Sequence, residues 1–224
     1  MPLILVLVEC GIELIPKQIR NHPSVKKNLS PKIYSSQLLD NALHSSAMKN
    51  LKDFKKRGRP DITHICLLNA LGSALNKHGD LLLYIHTINN KIFRFSPEIR
   101  IARNYNRFKG LMAKLLIDGS IETGTSKLIG RFEGNLKELI NKFEDPEVIL
   151  FSSKGTLINS YKDLFKMDIS KNYIIFIGGF QKSSFSKDII DLSENIVSIS
   201  QYPLDAWVVT NRIITYYEQT YEIL

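Results

Sequence analysis

The sequence predicts an α/β fold: a mostly parallel sheet flanked by helices. Three observations carry this. Residues 3–8 (LILVLV) are an unbroken apolar run with Val and Ile, the pattern of a strand buried on both faces. Residues 173–177 (YIIFI) are a second such run and pass straight into Gly178-Gly179. Elsewhere, short strand-like runs alternate with segments of helical periodicity.

The elements follow in order. Residues 16–31, with Pro16, Pro23, Pro31, His22 and Lys26-Lys27, read as a loop. Residues 34–51 place Leu38, Leu39, Ala42, Leu43, Ala47 and Met48 at helical spacing, and 52–60 follow as a basic loop. Residues 61–77 read as a second helix that His78-Gly79 closes. Residues 81–88 and 91–95, joined by Asn89-Asn90, read as a β-hairpin. Residues 105–117 are a third helix, ended by Asp118-Gly119. Residues 124–131 read as irregular, and 136–143 as a short helix. Residues 148–151 form a strand before the turn Ser152-Ser153-Lys154-Gly155. Residues 196–199 form another strand, and 205–222 the last helix. There is no internal repeat. The whole chain, 1–224, reads as one domain, with the basic hairpin-and-helix region at about 52–115 inserted into it.

Composition excludes several classes. With 44% hydrophobic residues the chain has enough apolar surface for a core, so it is not a disordered tail. The run 3–8 ends at Glu9, far short of the about 20 apolar residues that a membrane-crossing helix needs. It also lacks the basic flank and length of a signal peptide. Cys10 and Cys66 are the only cysteines, too few for a disulfide framework or a zinc quartet. Of the five histidines, no two have metal-ligand spacing with a third ligand. No metal is expected, and the chain reads as an intracellular, cytoplasmic protein.

A net charge of +8 points to an anionic partner, and its clustering sharpens the inference. Residues 49–59 hold Lys49, Lys52, Lys55, Lys56, Arg57 and Arg59 against one acid, Asp53. Residues 100–114 hold Arg100, Arg103, Arg107, Lys109 and Lys114 and no acid. Spaced three and then four apart, the three arginines would share one face of a helix. Guanidinium groups bind phosphate bidentately and stack on bases. Tyr105 and Phe108, interleaved with them, either stack on bases or pack in the core.

Candidate sites are sparse. Gly178-Gly179 after a strand permits close approach of a ligand at the carboxyl end of a sheet. It lacks the third glycine of a dinucleotide fingerprint. Residues 197–206 (VSISQYPLDA) turn directly from strand to helix and offer free backbone groups. In Arg57-Gly58-Arg59-Pro60-Asp61, Pro60 fixes the entry to a helix, and Asp61 either suits its first turn or holds Arg59 toward a phosphate.

Three strings, KRGRPDITH at 56–64, RIARNYNRFKGLM at 100–112 and VSISQYPL at 197–204, occur in order over nearly the whole chain. Together they resemble the ribosome-biogenesis pseudouridine N1-specific methyltransferases, a branch of the SPOUT methyltransferases, in an archaeal-type form. The resemblance implies a carboxyl-terminal trefoil knot whose loops bind S-adenosylmethionine largely through backbone groups. Carried over position by position, those loops include Thr156, Gly178, Ser183, Ile199, Ser200, Gln201, Tyr202, Pro203 and Leu204. Ser183 stands where family members often have glycine. The resemblance further implies a homodimer, and substrate RNA contacted by Arg59, Arg100, Arg103 and Arg107, with Asp61 holding Arg59.

The reaction so implied is transfer of a methyl group to N1 of a pseudouridine in a loop of small-subunit ribosomal RNA. Uridine is excluded because its glycosidic bond occupies N1. The cofactor carries the activation, so the protein positions and desolvates. Asp61 is the candidate general base, but orienting Arg59 suits it better; water or a phosphate are the other acceptors. The competing reading is a non-catalytic RNA-binding assembly factor of the small ribosomal subunit.

Overall fold

A computed structural model describes residues 2–165 and 171–223. Its strands are β1 (Leu3–Cys10), β2 (Leu81–Thr87), β3 (Ile92–Phe95), β4 (Ser120–Thr123), β5 (Ser126–Phe132), β6 (Pro146–Leu157), β7 (Asn172–Gly178) and β8 (Asn195–Ser198). They form one sheet in the order β4-β5-β3-β2-β1-β7-β6-β8. The run from β2 to β8 is parallel throughout, while β3, β5 and β4 extend it as antiparallel neighbours.

The helices are α1 (Pro23–Lys26), α2 (Asn41–Met48), α3 (Pro60–Gly72), α4 (Ala74–His78), α5 (Tyr105–Asp118), α6 (Leu136–Ile140), α7 (Lys187–Ile190) and α8 (Ala206–Thr220). Period-two alternation along β1 divides the core between two layers. Leu3, Leu5 and Leu7 pack with Ile62 and Cys66 of α3, Phe108 and Met112 of α5, and Ile213 of α8. Ile4, Val6 and Val8 face the other way, against Leu136 and Leu139 of α6 and Ile189 of α7. The sheet is therefore covered on both faces, which is why β1 is apolar at every position from 3 to 8.

Several expectations need correction. The three arginines do not share a helix face. The α5 helix starts only at Tyr105, because the Asn104 side chain accepts from the Arg107 backbone N–H at 3.0 Å and caps it. Arg100 and Arg103 lie before it, in a segment where Ile99 and Ile101 are buried and Arg100 is exposed. The segment 34–51 is not one helix. Leu14 bridges to Leu38, and the Asp40 carboxylate accepts from Ala42 N–H at 3.0 Å, so the α-helix begins at Asn41. Residues 34–37 form a 3-10 turn instead.

Residues 61–77 are two helices, broken where Ser73 is extended and its hydroxyl caps α4. Residues 16–31 include the short helix α1, capped by His22. Residues 124–131 are not irregular: most of them belong to β5, whose burial is concentrated at Ile129. The first strand of the last third is also longer than 148–151. After an irregularity between Phe151 and Thr156, β6 resumes its pairing with β8 through Thr156 and Leu157.

A cofactor-sized cavity beside a basic face

The irregular middle of β6, around residues 152–154, and the carboxyl ends of β7 and β8 converge on a cavity of about 380 Å³, within the usual range for small-molecule sites. Phe180, Phe185, Ile190 and Ile196 give it an apolar wall. Ser152, Ser183, Ser184, Ser198 and Ser200 supply hydroxyls, and the turn Tyr202-Pro203-Leu204 closes one side. Lys154 is the only charged side chain among the lining residues, and its ammonium donates to Ser184 Oγ across the rim at 3.1 Å. No carboxylate or imidazole lines the cavity among the described residues, so its walls suit positioning rather than proton transfer.

Local sequence explains the shape. The Ser198 hydroxyl donates to the Ser200 carbonyl at 2.8 Å, and the Ser200 hydroxyl accepts from Tyr202 N–H at 3.0 Å. These two bonds curl residues 198–202 out of β8 and over the cavity. Gly155 crosses the β8 backbone so closely that a Cβ there would lie 2.6 Å from both the N and the C of Val197. Only glycine permits that approach.

Of the residues the resemblance singled out, Gly178, Ser183, Ile199, Ser200, Tyr202, Pro203 and Leu204 line the cavity. Thr156 and Gln201 do not: Thr156 pairs with Val197 in the sheet, and Gln201 is exposed. Phe185 before α7, Ile190 at its end and Ile196 in β8 escaped sequence reading because an isolated apolar residue in a strand, helix or loop looks like core.

The basic face lies around the amino-terminal ends of α3 and α5. Arg59 precedes Pro60, the first residue of α3, and donates to both oxygens of Asp61 at 2.8 and 2.6 Å. That pairing raises the Arg59 pKa further and fixes its guanidinium. His64 stacks on Phe108 at 4.2 Å and hydrogen-bonds the Ala102 carbonyl through Nε2 at 2.7 Å. It thereby ties the Arg100–Arg103 segment to α3. Arg100, Arg103 and Arg107 are exposed and have no ion-pair partner among the described residues. Phe108 is wholly buried, and the Tyr105 hydroxyl donates to Asp40 at 3.2 Å; both pack inward.

The first basic window is partly neutralised. Lys56 is paired with Glu9 at 2.7 Å, and Arg57 with Glu13 at 2.5 Å; all four side chains are largely buried. Lys49, Lys52 and Lys55 remain exposed. Among the described residues, no group of His, Cys, Asp and Glu could hold a metal ion. Burial pushes the thiols of Cys10 and Cys66 up to about 12, which leaves them as packing residues.

Cavity and basic face meet at Gly11. The Arg59 N–H donates to the Gly11 carbonyl at 3.2 Å, and the Gly11 N–H donates to the Gly179 carbonyl at 3.3 Å. A Cβ on Gly11 would lie 2.7 Å from the Lys56 carbonyl oxygen and 2.9 Å from the Arg59 nitrogen. One residue thus joins the basic loop to the strand end that lines the cavity.

This is an α/β protein that sets a small-molecule cavity, at the carboxyl end of a parallel sheet, against an arginine-rich face. The model of one family, the EMG1/NEP1 methyltransferases, matches residues 5–218, and the chain belongs to that family. It is 42% identical to the ribosomal RNA small subunit methyltransferase Nep1 of Staphylothermus marinus, over 100% of this chain and 98% of that one. It is 37% identical to the Nep1 of Thermococcus sibiricus, over 96% of each. Among solved structures it is similar to Archaeoglobus fulgidus Nep1 bound to S-adenosylhomocysteine, with a TM-score of 0.84 and 33% identity, covering 98% of this chain and 99% of that chain.

Proposed function

We propose that this protein methylates N1 of a pseudouridine in a loop of small-subunit ribosomal RNA, using S-adenosylmethionine. The observation that carries the reading is the junction at Gly11, which sets an arginine cluster beside a cavity of cofactor size. The names of the relatives support the substrate and reaction, and the ligand of the Archaeoglobus structure supports the donor.

The cavity residues fit that cofactor. An apolar wall suits an adenine ring, and the serines and strand-end backbone suit ribose and amino-acid groups. When bound, S-adenosylmethionine supplies a methyl group already activated on sulfonium sulfur. The chain's own contribution is placement. Arg59, Arg100, Arg103 and Arg107 hold the RNA backbone and turn the base toward the cavity. Their charge favours the anion that forms as N1 loses its proton. With both oxygens engaged by Arg59, Asp61 acts as an orienting group, and the proton goes to water or a phosphate.

The finer architecture belongs to the same reading. The chain is one domain with residues 52–115 as its family-specific part. Its carboxyl-terminal strands form a trefoil knot, a reading supported by the irregular middle of β6 and the segments after β7 and β8 all lining one cavity. It works as a homodimer in the cytoplasm. Among the described residues, no helix is long and apolar enough to cross a membrane.

The test is methyl transfer from radiolabelled S-adenosylmethionine to two short hairpins, one with uridine and one with pseudouridine in the loop. Label in the pseudouridine hairpin alone is the expected result. No label in either, with both ligands shown to bind, would favour the assembly-factor reading.

A further inference from the structure

Lys56 belongs to the basic window, yet it does not face solvent. Its ammonium is buried and donates to both oxygens of Glu9, at 2.7 and 2.8 Å. The same ammonium lies 5.1 Å from the centroid of the Phe180 ring, within cation–π range. Phe180 lines the cofactor cavity and packs edge-on against Phe185, another lining residue, at 5.1 Å. Glu9 closes the arrangement, since its Oε2 also accepts from Ser186 N–H at 3.3 Å, one residue beyond Phe185. Glu9 is itself held in a left-handed conformation, with φ of 52°, and its N–H donates to His86 Nδ1 at 3.2 Å. Surrounding structure must impose that backbone on a non-glycine residue. It coincides with the irregularity in the pairing of β1 with β2 between Leu7 and Cys10.

We infer that the Lys56–Glu9 pair is a positioning device that fixes the aromatic wall of the cofactor cavity relative to the RNA-reading loop. Lys56 lies three residues before Arg59, on the same loop. Its side chain reaches the cavity wall while the Arg59 backbone reaches Gly179 through Gly11. Two struts, one of side chains and one of backbone, therefore span the gap between the elements that would hold RNA and methyl donor. An in-line transfer depends steeply on that spacing, because a displacement of about 1 Å can cost on the order of 100-fold in rate. Neither Lys56 nor Glu9 lines the cofactor cavity, so the pair is not assigned a contact with either ligand.

The inference rests on the methyl-transfer reading, and its test separates the two. Lys56→Met is made, together with the charge-neutral pair Glu9→Gln/Lys56→Met, which leaves no unpaired buried charge if the single variant fails to fold. Single-turnover transfer is measured with a pseudouridine hairpin. Dissociation constants for S-adenosylhomocysteine and for the hairpin are measured separately by calorimetry. The expected result for the folded variants is a rate reduced about 10- to 100-fold, with each dissociation constant within about threefold of wild type. A merely structural role would lower thermal stability and leave the rate of the folded protein unchanged; a rate within twofold of wild type would overturn the inference. A rate loss matched by an equal loss of S-adenosylhomocysteine affinity would also overturn it, because the pair would then shape the pocket itself. Wild-type protein that binds both ligands but transfers nothing would overturn the methyl-transfer reading, and this inference with it.

Discussion

Asp61 holds the Arg59 guanidinium in a fork, with hydrogen bonds of 2.8 Å to Oδ1 and 2.6 Å to Oδ2. Only Pro60 separates the partners, so α3 itself fixes the geometry: Arg59 stands just before the helix and Asp61 in its first turn. The Asp61 side chain is 39% exposed, which limits what the pair adds to stability. Its use is direction.

Replacing Asp61 with Asn should therefore weaken RNA binding through Arg59. We expect a loss on the order of 10-fold in hairpin affinity by fluorescence anisotropy, with unfolding free energy changed by less than about 1 kcal/mol. Combined with Arg59→Ala, the substitution should add little, because the two residues act as one unit. Additive losses would mean that Asp61 touches the RNA on its own account.

The exposed arginines set the salt dependence. If Arg59, Arg100, Arg103 and Arg107 each neutralise one phosphate of a single-stranded loop, together they contribute about −2.8 to the slope of log affinity against log salt. Each arginine-to-alanine change should make the slope shallower by about 0.7. An unchanged slope in the Arg103→Ala protein would remove that residue from the phosphate contacts.

The sequence made the parallel core legible because strands buried on both faces carry unbroken apolar runs, as over residues 3–8 of β1 and 173–177 of β7. It hid β5, where burial is concentrated at Ile129 and no period develops. It misled at Arg100 and Arg103, since a three-and-four spacing suits a helix but cannot reveal that Asn104 begins one later. Parts of the cavity were legible from the residues alone, in Gly178 after a strand and in the 197–206 turn; that these parts form one cofactor site came through the resemblance. Its polar lining consists of serines and strand ends, residue types that carry no spacing signature. Likewise Lys56 and Arg57 read as surface charge, because their partners Glu9 and Glu13 lie more than forty residues away.

Gly155 tests the cavity from its backbone side. Gly155→Ala forces a methyl group to 2.6 Å from the Val197 backbone, which cannot swing aside as a side chain would. β6 and β8 must separate there, at a cost of about 1–3 kcal/mol. S-adenosylhomocysteine affinity should fall at least about tenfold, the equivalent of some 1.4 kcal/mol, while hairpin affinity stays within about twofold. Calorimetry with each ligand checks this. Equal loss of both affinities would point to general unfolding rather than to a damaged cavity.

Acid should destabilise the fold through His44 and His86. Each ring accepts a backbone N–H at Nδ1, from Asp40 at 3.1 Å and from Glu9 at 3.2 Å, so each needs an unprotonated Nδ1. Burial lowers both pKa values below the ordinary 6.5. Between the lowered folded value and 6.5 the unfolded chain binds more protons, so stability rises with pH across that window. The stabilisation is complete above about pH 6.5 and is lost as the pH falls from there through the folded values. We expect the urea midpoint to drop between pH 7 and pH 5. The slope in that window should flatten in the His44→Gln/His86→Gln protein, even though the double variant is less stable at pH 7. A wild-type midpoint that is level or rises over the same interval would show that neither imidazole is held neutral by the fold.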